Sequence, residues 1–537
     1  MESNEGYAPI YDEATGVSII MKRRNFLKSS LAITALGATK PKSLFGTPKR
    51  FLFKQSNIET DRIVVFIKLN GGNDGLNTII PYQDPMYYQL RPQLAIPADQ
   101  SIQLTNTLAL HPALESLLPF YENSKMSIIQ GVGYPNGNLS HFRSSDIWDT
   151  GSSEDEELIT GWIGRLLELE YPGFPENSPE YPLGIQFNSA NLIEFKTAES
   201  NTALYLYDPD TMYAIITGNY VNEQDEEIPD TYGGDELAFL REMDYMSYAY
   251  SQIINEAANN APNTVLNYPD SIIGQQFEIT ARLIAGGLET PFYRLNQNGY
   301  DTHIDQVGSS PSYTGIHNTL LSDLSNSLSV FLSEMDALGL LEKVLVITTS
   351  EFGRRAIENA SLGTDHGTSA PILAFGAGIN GGIFGNNPQL NQLDNNGNLN
   401  LQFDYRQIYS TIITDWLGLN QEIATNVFGQ EFEAIPFVQT PLSVKNPPLP
   451  AKFKMHPAFP NPFNPTTTLS YTLPKNGNVT IRLLDLCGRV LKTHRMGKQN
   501  AGKHLFKLDG RDLSSGSYMA QVEGAGSVLN QKITLLK

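Results

Sequence analysis

Between about residues 60 and 430, short apolar runs alternate with stretches of helical periodicity. The runs that are almost continuously apolar, as expected of strands buried on both faces, are 62–69, 125–132, 343–349 and 371–375. Apolar residues recur at helical spacing in 111–123, 235–258, 270–288, 316–340 and 405–417. This alternation predicts an α/β fold, a mostly parallel sheet with helices on both faces.

The pattern changes after a proline-rich stretch at 446–450, which is typical of an extended linker. Short alternating segments follow, separated by Asn, Gly and Ser clusters, and they indicate a small all-β sandwich: 468–473, 479–485, 490–494, 516–522 and 532–536. We therefore predict an export leader, an α/β domain, a linker and a β-sandwich, at 1–46, 60–430, 431–455 and 456–537.

Charge supports this division. The chain of 537 residues has a formal charge of −20, which argues against a nucleic-acid partner because phosphate binding needs a concentrated basic face. Residues 451–537 carry 13 Lys and Arg against 4 Asp and Glu, a net of +9, so the rest of the chain carries −29.

Cys487 is the only cysteine, which excludes an intrachain disulfide, and we expect it to be a buried apolar residue.

The N-terminal region has the pattern of an export signal. A basic cluster, Lys22-Arg23-Arg24, precedes an apolar run that is far shorter than the ~20 residues of a membrane span. The stretch 21–38 resembles a twin-arginine signal, although a chance basic segment before a core helix would look similar. The resemblance implies the twin-arginine export machinery as a partner. No other stretch is apolar enough to span a membrane, so we expect no transmembrane segment in the mature protein.

Residues 456–537 resemble the C-terminal sorting domain of type IX secretion cargo. The matching elements are Leu484-Asp485-x-x-Gly488-Arg489-Val490, Ala501-Gly502-Lys503-His504 and Leu513-x-x-Gly516-x-Tyr518. The resemblance implies that this segment binds the type IX secretion machinery. Together the two signals imply passage through the periplasm of a Gram-negative-type bacterium and a final place at the cell surface or outside. A generic adhesive or carbohydrate-binding β-module is the alternative.

Polar residues gather where the predicted strands end, which is where sites form in parallel sheets. Asp74, after the first strand, could bind a cation, although Asn-Asp-Gly is also common turn chemistry. Ser140 could cap the next helix or act as a nucleophile. Beside it, His141 could bind a metal and Arg143 could pair with a phosphate or sulfate.

Two later strand ends carry further candidate ligands. Asp301 and His303 would point the same way in an extended segment and could share one metal, or they could be a capping Asp and a surface His. Glu351 ends a buried strand, and Asp365 and His366 form a predicted turn before the next strand. Packing alone does not explain this last combination, so we expect it to be functional.

Taken together these segments resemble domain-of-unknown-function family 1501, which in turn looks like a branch of the alkaline phosphatase and sulfatase superfamily. The motifs that carry the resemblance are Gly71-Gly72-Asn73-Asp74-Gly75-Leu76-Asn77, Ser140-His141-Phe142-Arg143, Ser350-Glu351-Phe352-Gly353-Arg354 and Thr364-Asp365-His366-Gly367. The resemblance spans about 60–430. It implies an alkaline-phosphatase-like sheet, a nucleophile at Ser140, and metal ligands at Asp74, Asp301, His303, Glu351 and His366.

The departures from that superfamily limit the expected chemistry. Glu351 stands where an Asp-His pair is usual, which favours a hard ion such as Ca²⁺ or Mg²⁺, with Zn²⁺ as the other candidate. No Cys-x-Pro-x-Arg stretch is present, which excludes the modified-cysteine nucleophile of many sulfatases.

We expect an exported metal-dependent hydrolase of phosphate or sulfate esters, or alternatively a catalytically silent surface protein that binds a metal or glycan. The expected catalytic residues are Ser140 and Arg143. The expected metal ligands are Asp74, His141, Asp301, His303, Glu351, Asp365 and His366. The sequence leaves the substrate and the oligomeric state open.

Overall fold

The computed structural model describes residues 7–11, 18–22, 61–211, 250–439 and 453–536. Short gaps within these ranges fall at 173, 175–178, 188–192, 199, 207, 209, 263–265, 309–310, 312, 460, 462, 476, 486–487, 500–501 and 525. The chain divides into two compact units, Met1–Gln439 and Thr440–Lys537. The twin-arginine motif and Cys487 lie outside the described residues.

In its described residues, the first unit contains a mixed main sheet and three smaller sheets. Its strands are β1 (Tyr7–Tyr11), β2 (Ser18–Lys22), β3 (Ile63–Asn70), β4 (Ile79–Ile80), β5 (Ile102–Gln103), β6 (Ala109–Leu110), β7 (Met126–Gly133), β8 (Gly184–Gln186), β9 (Ala203–Tyr205), β10 (Phe292–Asn298), β11 (Val344–Thr349), β12 (Gly353–Glu358), β13 (Thr364–Gly367), β14 (Ala370–Phe375), β15 (Gly382–Phe384) and β16 (Phe403–Asp404). The main sheet has the order β15-β7-β14-β11-β3-β10-β8-β9, and β16 also pairs with β7. The smaller sheets are β1-β2, β12-β13 and β4-β6-β5.

Most neighbours in the main sheet run parallel, but β14 runs antiparallel to both β11 and β7. The sheet is therefore more mixed than the periodicity predicts. The reason is the connection: residues 350–369 form the antiparallel β12–β13 hairpin instead of a crossover helix, so the chain returns in the opposite direction. Asp365 and His366, predicted in a turn, accordingly lie in strand β13.

Helices cover both faces of this sheet. They are α1 (Gly75–Thr78), α2 (Pro85–Leu90), α3 (Leu118–Glu122), α4 (His141–Thr150), α5 (Trp162–Glu170), α6 (Ile272–Ala285), α7 (Ile316–Ala337), α8 (Tyr405–Thr411) and α9 (Gln421–Phe428). 3₁₀ helices occupy Pro112–Leu117, Ile193–Phe195 and Leu341–Lys343, and a π turn, Ile412–Trp416, follows α8. Residues 250–260 are also helical, whereas 235–249 of the predicted helix lie outside the described residues.

Strand β3 shows why the sheet needs cover on both sides. Val65 and Ile67 belong to one buried apolar cluster, and Val64 and Phe66 belong to another. Because side chains alternate across a strand, the two clusters lie on opposite faces. The Phe66 ring meets the Trp162 ring of α5 edge to face at 5.8 Å between centroids. The predicted α/β class is confirmed.

The second unit contains two antiparallel sheets. Its strands are β17 (Lys454–Phe459), β18 (Thr466–Leu473), β19 (Gly477–Leu484), β20 (Val490–Gln499), β21 (Gly502–Asp509), β22 (Gly516–Gly524) and β23 (Ser527–Leu535). The sheets have the orders β17-β18-β21 and β20-β19-β22-β23. Side chains from both, such as Leu469 and Ile481, share one core. The predicted β-sandwich is confirmed, with β17 and β21 as strands that the alternation did not reveal.

Helix starts follow local chemistry. The His111 ring accepts a hydrogen bond from Ala113 N at 3.0 Å and so caps the turn Pro112–Leu117. Asp404 forms a capping box with Gln407 at the start of α8. In the part of the chain that the structure describes, no helix has both the length and the apolar character of a membrane span.

Candidate metal centre

Separate segments of the α/β unit bring three imidazoles and a carboxylate together. Asp301 and His303 follow β10, His141 is the first residue of α4 after β7, and His366 lies in β13. One ligand atom each from His141, Asp301 and His366 lies within 4.8 Å of the other two. We call His141, Asp301, His303 and His366 the metal centre, as the candidate site for a cation.

The Asp301 carboxylate lies at the middle of this group. Its Oδ1 is 3.2 Å from His303 Nε2 and 3.2 Å from His366 Nε2, and its Oδ2 is 3.4 Å from His141 Nε2. The Nε2 atoms of His303 and His366 are 2.8 Å apart. Each imidazole therefore presents the same ring nitrogen to one small volume, as the ligands of a single cation do.

The other ring nitrogen of each histidine faces a hydrogen-bond acceptor. His141 Nδ1 is 2.8 Å from Glu351 Oε1, and His303 Nδ1 is 3.3 Å from Asp365 Oδ1. His366 Nδ1 is 2.8 Å from the Leu139 carbonyl oxygen, which can only accept. An acceptor at Nδ1 holds the proton there and leaves the Nε2 lone pair free for a metal.

Glu351 is the most deeply placed of these acceptors. It is 3% exposed, and its Oε1 also accepts from the Gly71 backbone N–H at 2.8 Å. Gly71 has φ +118, and a Cβ there would lie 2.2 Å from Asp301 N. Only glycine therefore lets the end of β3 pack against the loop that carries Asp301, which explains part of the Gly71-Gly72 motif.

Arg354 ties the loops of the metal centre together. The side chain is 1% exposed and its Nη2 donates to Asp301 Oδ1 at 2.7 Å. Its remaining donors reach the backbone carbonyls of Gly71, Gly72, Tyr300 and Thr364. Burial raises the pKa of Asp301, but the hydrogen bond and the positive charge of Arg354 are the main contacts that hold it below its ordinary value. Burial lowers the pKa of His366, which favours the neutral ring that a metal requires.

Several residues predicted from the sequence have other surroundings. Asp74 is fully buried, and its Oδ2 is 2.6 Å from Arg91 Nη1, so it forms an internal ion pair and does not join the metal centre. Glu351 contacts the Nδ1 atom of His141, and Asp365 contacts the Nδ1 atom of His303. Neither acid is placed at the Nε2 atoms that face Asp301.

The two predicted catalytic residues lie near the start of α4. Ser140 is exposed and precedes the helix without a side-chain capping bond. The Arg143 guanidinium donates to the carbonyls of Glu154 and Glu156 at 2.8 and 2.7 Å, so it holds the loop after α4. Sequence reasoning missed Arg354 as a positioning group, although it stands in the quoted Ser350–Arg354 motif.

A pocket of about 270 Å³ lies beside the metal centre, with His141 in its wall. Lys68 and Arg294 line it, and both pair with Asp149, at 3.1 and 3.2 Å. Arg294 also pairs with Glu194 at 2.8 Å. Burial raises the pKa of Glu194 to about 7. Asp146 also lines the pocket, so two cations face three acids and the pocket is polar without an excess of positive charge.

Two families match parts of the chain. The family described as "Protein of unknown function (DUF1501)" matches residues 222–433, and the family described as "Secretion system C-terminal sorting domain" matches residues 457–535. Both resemblances are confirmed. The DUF1501 match includes the residues after β10, β11 and β12, whereas His141 and the Gly71-Gly72 motif precede it. The sorting-domain match supports secretion or a location at the cell surface. A search of curated proteins finds no match.

Solved structures give only distant similarity. The PsFucS1 sulfatase from Pseudoalteromonas sp. is 10% identical, with 83% of each chain covered and a TM-score of 0.33. An alkaline phosphatase superfamily protein from Vibrio parahaemolyticus is 12% identical, with 93% of this chain and 88% of that chain covered and a TM-score of 0.33. PorZ, a surface component of the type IX secretion system of Porphyromonas gingivalis, is 17% identical over 15% of this chain and 11% of its own, with a TM-score of 0.12.

Proposed function

We propose that the chain is an exported metalloprotein whose α/β unit holds a divalent transition metal and hydrolyses phosphate or sulfate esters. The observation that carries the proposal is the convergence of three imidazole Nε2 atoms on the Asp301 carboxylate, each ring having an acceptor at Nδ1. Three nitrogen donors and one oxygen donor suit Zn²⁺ or a similar ion better than Ca²⁺ or Mg²⁺, which prefer oxygen ligands.

The residues around the site would prepare it for this chemistry. Such an ion, when bound, polarises an ester oxygen and lowers the pKa of a coordinated water. Arg354 keeps Asp301 ionised and in place, and Glu351 orients the His141 ring. Ser140, exposed beside His141 at the start of α4, is the candidate nucleophile, with water as the alternative.

The neighbouring pocket would receive the part of the substrate that does not react. Its cations are already paired with Asp149 and Glu194, so it offers no unpaired cation to a second anionic group. The charged ester would therefore lie at the metal centre, and a neutral polar group would lie in the pocket.

A second candidate is a catalytically silent metal-binding surface protein on the same fold. It is favoured by Arg143, because the group expected to neutralise a phosphate or sulfate instead holds backbone carbonyls of the loop after α4.

Export would be the same in both cases. We propose that the twin-arginine route brings the folded chain to the periplasm, where the type IX machinery takes over.

The test uses the purified full chain loaded with Zn²⁺ and a panel of aryl phosphates and sulfates. The wild-type protein should hold metal by elemental analysis and turn over at least one ester, and His366→Ala should lose both. His494→Ala, in the second unit, is the matched control and should retain both. Equal turnover by wild type and His366→Ala would contradict the hydrolase proposal, whereas bound metal without turnover would favour the silent protein.

A further inference from the structure

Gln306 connects the loop after β10 with strand β13, and these two segments carry three of the four residues of the metal centre. It is 0% exposed, and its Oε1 accepts hydrogen bonds from Thr302 Oγ1 at 2.9 Å and Thr364 Oγ1 at 2.7 Å. Thr302 lies between Asp301 and His303 in the chain, and Thr364 is followed by Asp365 and His366. One amide oxygen thus bridges the loop after β10 and strand β13.

The orientation of this amide is set by a buried ion pair. Gln306 Nε2 lies 2.5 Å from Asp74 Oδ2, which also accepts from Arg91 Nη1 at 2.6 Å. An ionised carboxylate can only accept, so the amide nitrogen must face Asp74 and the amide oxygen must face the two hydroxyls. Burial raises the pKa of Asp74, but Arg91 and Gln306 outweigh burial and lower it, which keeps the carboxylate ionised. The Gln306 amide nitrogen is therefore anchored on Asp74, while the amide oxygen faces the two threonines.

We propose that Gln306 is a positioning residue that holds Asp301, His303 and His366 at metal-binding distance through Thr302 and Thr364. The inference rests on the proposed metal centre. It gives Asp74 a role as an anchor for the centre in place of the predicted role as a ligand. The side chains of Gln306, Thr302 and Thr364 contact one another and Asp74, and supply none of the proposed metal ligands. Changing them should therefore weaken metal binding without removing a ligand.

The experiment compares the Zn²⁺ affinity of full-chain variants by competition with a chromophoric chelator. Thr302→Val with Thr364→Val keeps the shape of both side chains and removes both hydroxyl donors. The dissociation constant should rise about tenfold, as when groups that orient metal ligands are removed. Thr302→Ser with Thr364→Ser keeps the hydroxyls and should bind within about twofold of wild type.

Thr290→Val is the control for a simple loss of stability, because Thr290 is equally buried and donates to the Pro182 carbonyl at 2.8 Å. It should lower the melting temperature without changing the Zn²⁺ affinity. If the double Val variant fails to fold, each single variant keeps one donor and should show a smaller loss of affinity than tenfold but a measurable one. Wild-type binding by the Val variants would overturn the role of Gln306 alone, whereas a wild-type protein that binds no Zn²⁺ would overturn the metal centre itself.

Discussion

In its described residues, the α/β unit contains one solvent-exposed and one fully buried group of histidine and acidic side chains. The metal centre is partly exposed, with its four side chains between 19% and 47% accessible. The second group, which we call the buried cluster, consists of His111, His317, Asp74 and Arg91, all at most 2% exposed. Residue types alone would make both groups candidates for metal binding.

The ring nitrogens distinguish the two groups. In the buried cluster, His111 Nδ1 accepts from a backbone N–H, and His317 Nε2 lies 3.0 Å from Asn73 Oδ1. Asp74 is neutralised by Arg91. Burial lowers the pKa of His111 to about 3 and that of His317 to about 4, so both rings are neutral packing groups. The metal centre differs from the buried cluster because three imidazole Nε2 atoms converge on one carboxylate, whereas His and Asp occur together in both groups.

The largest expected effect is on stability, at the buried cluster. Arg91→Met leaves Asp74 as an uncompensated buried charge and removes donors to the carbonyls of Ala356 and Arg355. Breaking a buried ion pair in this way should lower the free energy of unfolding by about 3–5 kcal/mol. Denaturant unfolding of the metal-free chain measures it. A change below about 1 kcal/mol would show that Asp74 and Arg91 do not form the pair.

His366→Ala should show the reverse pattern. Loss of a ligand should raise the Zn²⁺ dissociation constant by more than about a hundredfold, which is at least about 2.7 kcal/mol. The stability of the metal-free chain should change by less than about 1 kcal/mol, because the side chain is partly exposed. Calorimetric titration and denaturant unfolding of the same preparation give both values. A large stability loss with unchanged affinity would place His366 in the same class as His317.

The sequence predicts the frame of the metal centre better than its details. The apolar runs at β3, β7, β11 and β14 are visible in the chain, and the rule that sites form where parallel strands end leads to the loops after them. Asp74 shows the limit. Its partner Arg91 follows the last residue of α2, 17 residues later in the chain. Periodicity does not reveal that the guanidinium reaches back to the Asp74 carboxylate.

A second limit is the direction of side chains. Glu351 and Asp365 stand in motifs that the sequence marks as candidate ligands. Whether their carboxylates face a cation or an imidazole Nδ1 depends on rotamers and backbone angles that no residue pattern encodes.

The direction of β14 is a third limit. It depends on whether residues 350–369 form a hairpin or a helix, and that stretch lacks helical periodicity but has no tight two-residue hairpin turn either.

The pH dependence of stability should come from the buried cluster. His111 and His317 stay neutral in the fold, whereas in the unfolded chain they take up protons below their ordinary pKa of 6.5. The unfolded state then binds more protons, so stability is lost as the pH falls from about 6.5 toward about 4. Between pH 7 and pH 5 the loss should be about 2 kcal/mol for each ring. Thermal or denaturant unfolding across this range measures it.

His317→Gln separates this effect from general acid sensitivity. It removes one titrating ring and should flatten the stability curve between pH 6.5 and pH 5, whereas His494→Gln in the second unit should leave the curve of the α/β unit unchanged. Parallel curves for wild type and His317→Gln would mean that the ring is not held neutral by burial.

The smallest expected effect compares the two acids that orient imidazoles in the metal centre. Glu351 is nearly buried and lies 2.8 Å from His141 Nδ1, whereas Asp365 is about half exposed and lies 3.3 Å from His303 Nδ1. Glu351→Gln keeps the shape but replaces a charged acceptor by a neutral one. The Zn²⁺ dissociation constant should therefore rise about tenfold, about 1.4 kcal/mol.

Asp365→Asn should have a smaller effect, because water can replace an exposed acceptor and screens its charge. Chelator competition on the two variants, side by side with wild type, gives the ranking. If Asp365→Asn weakened binding more than Glu351→Gln, the carboxylate of Asp365 would have to be a ligand itself, and the metal centre would extend toward the solvent side of His303. An equal and negligible effect of both would mean that the backbone, through contacts such as that of Leu139 with His366, fixes the rings without help from acids.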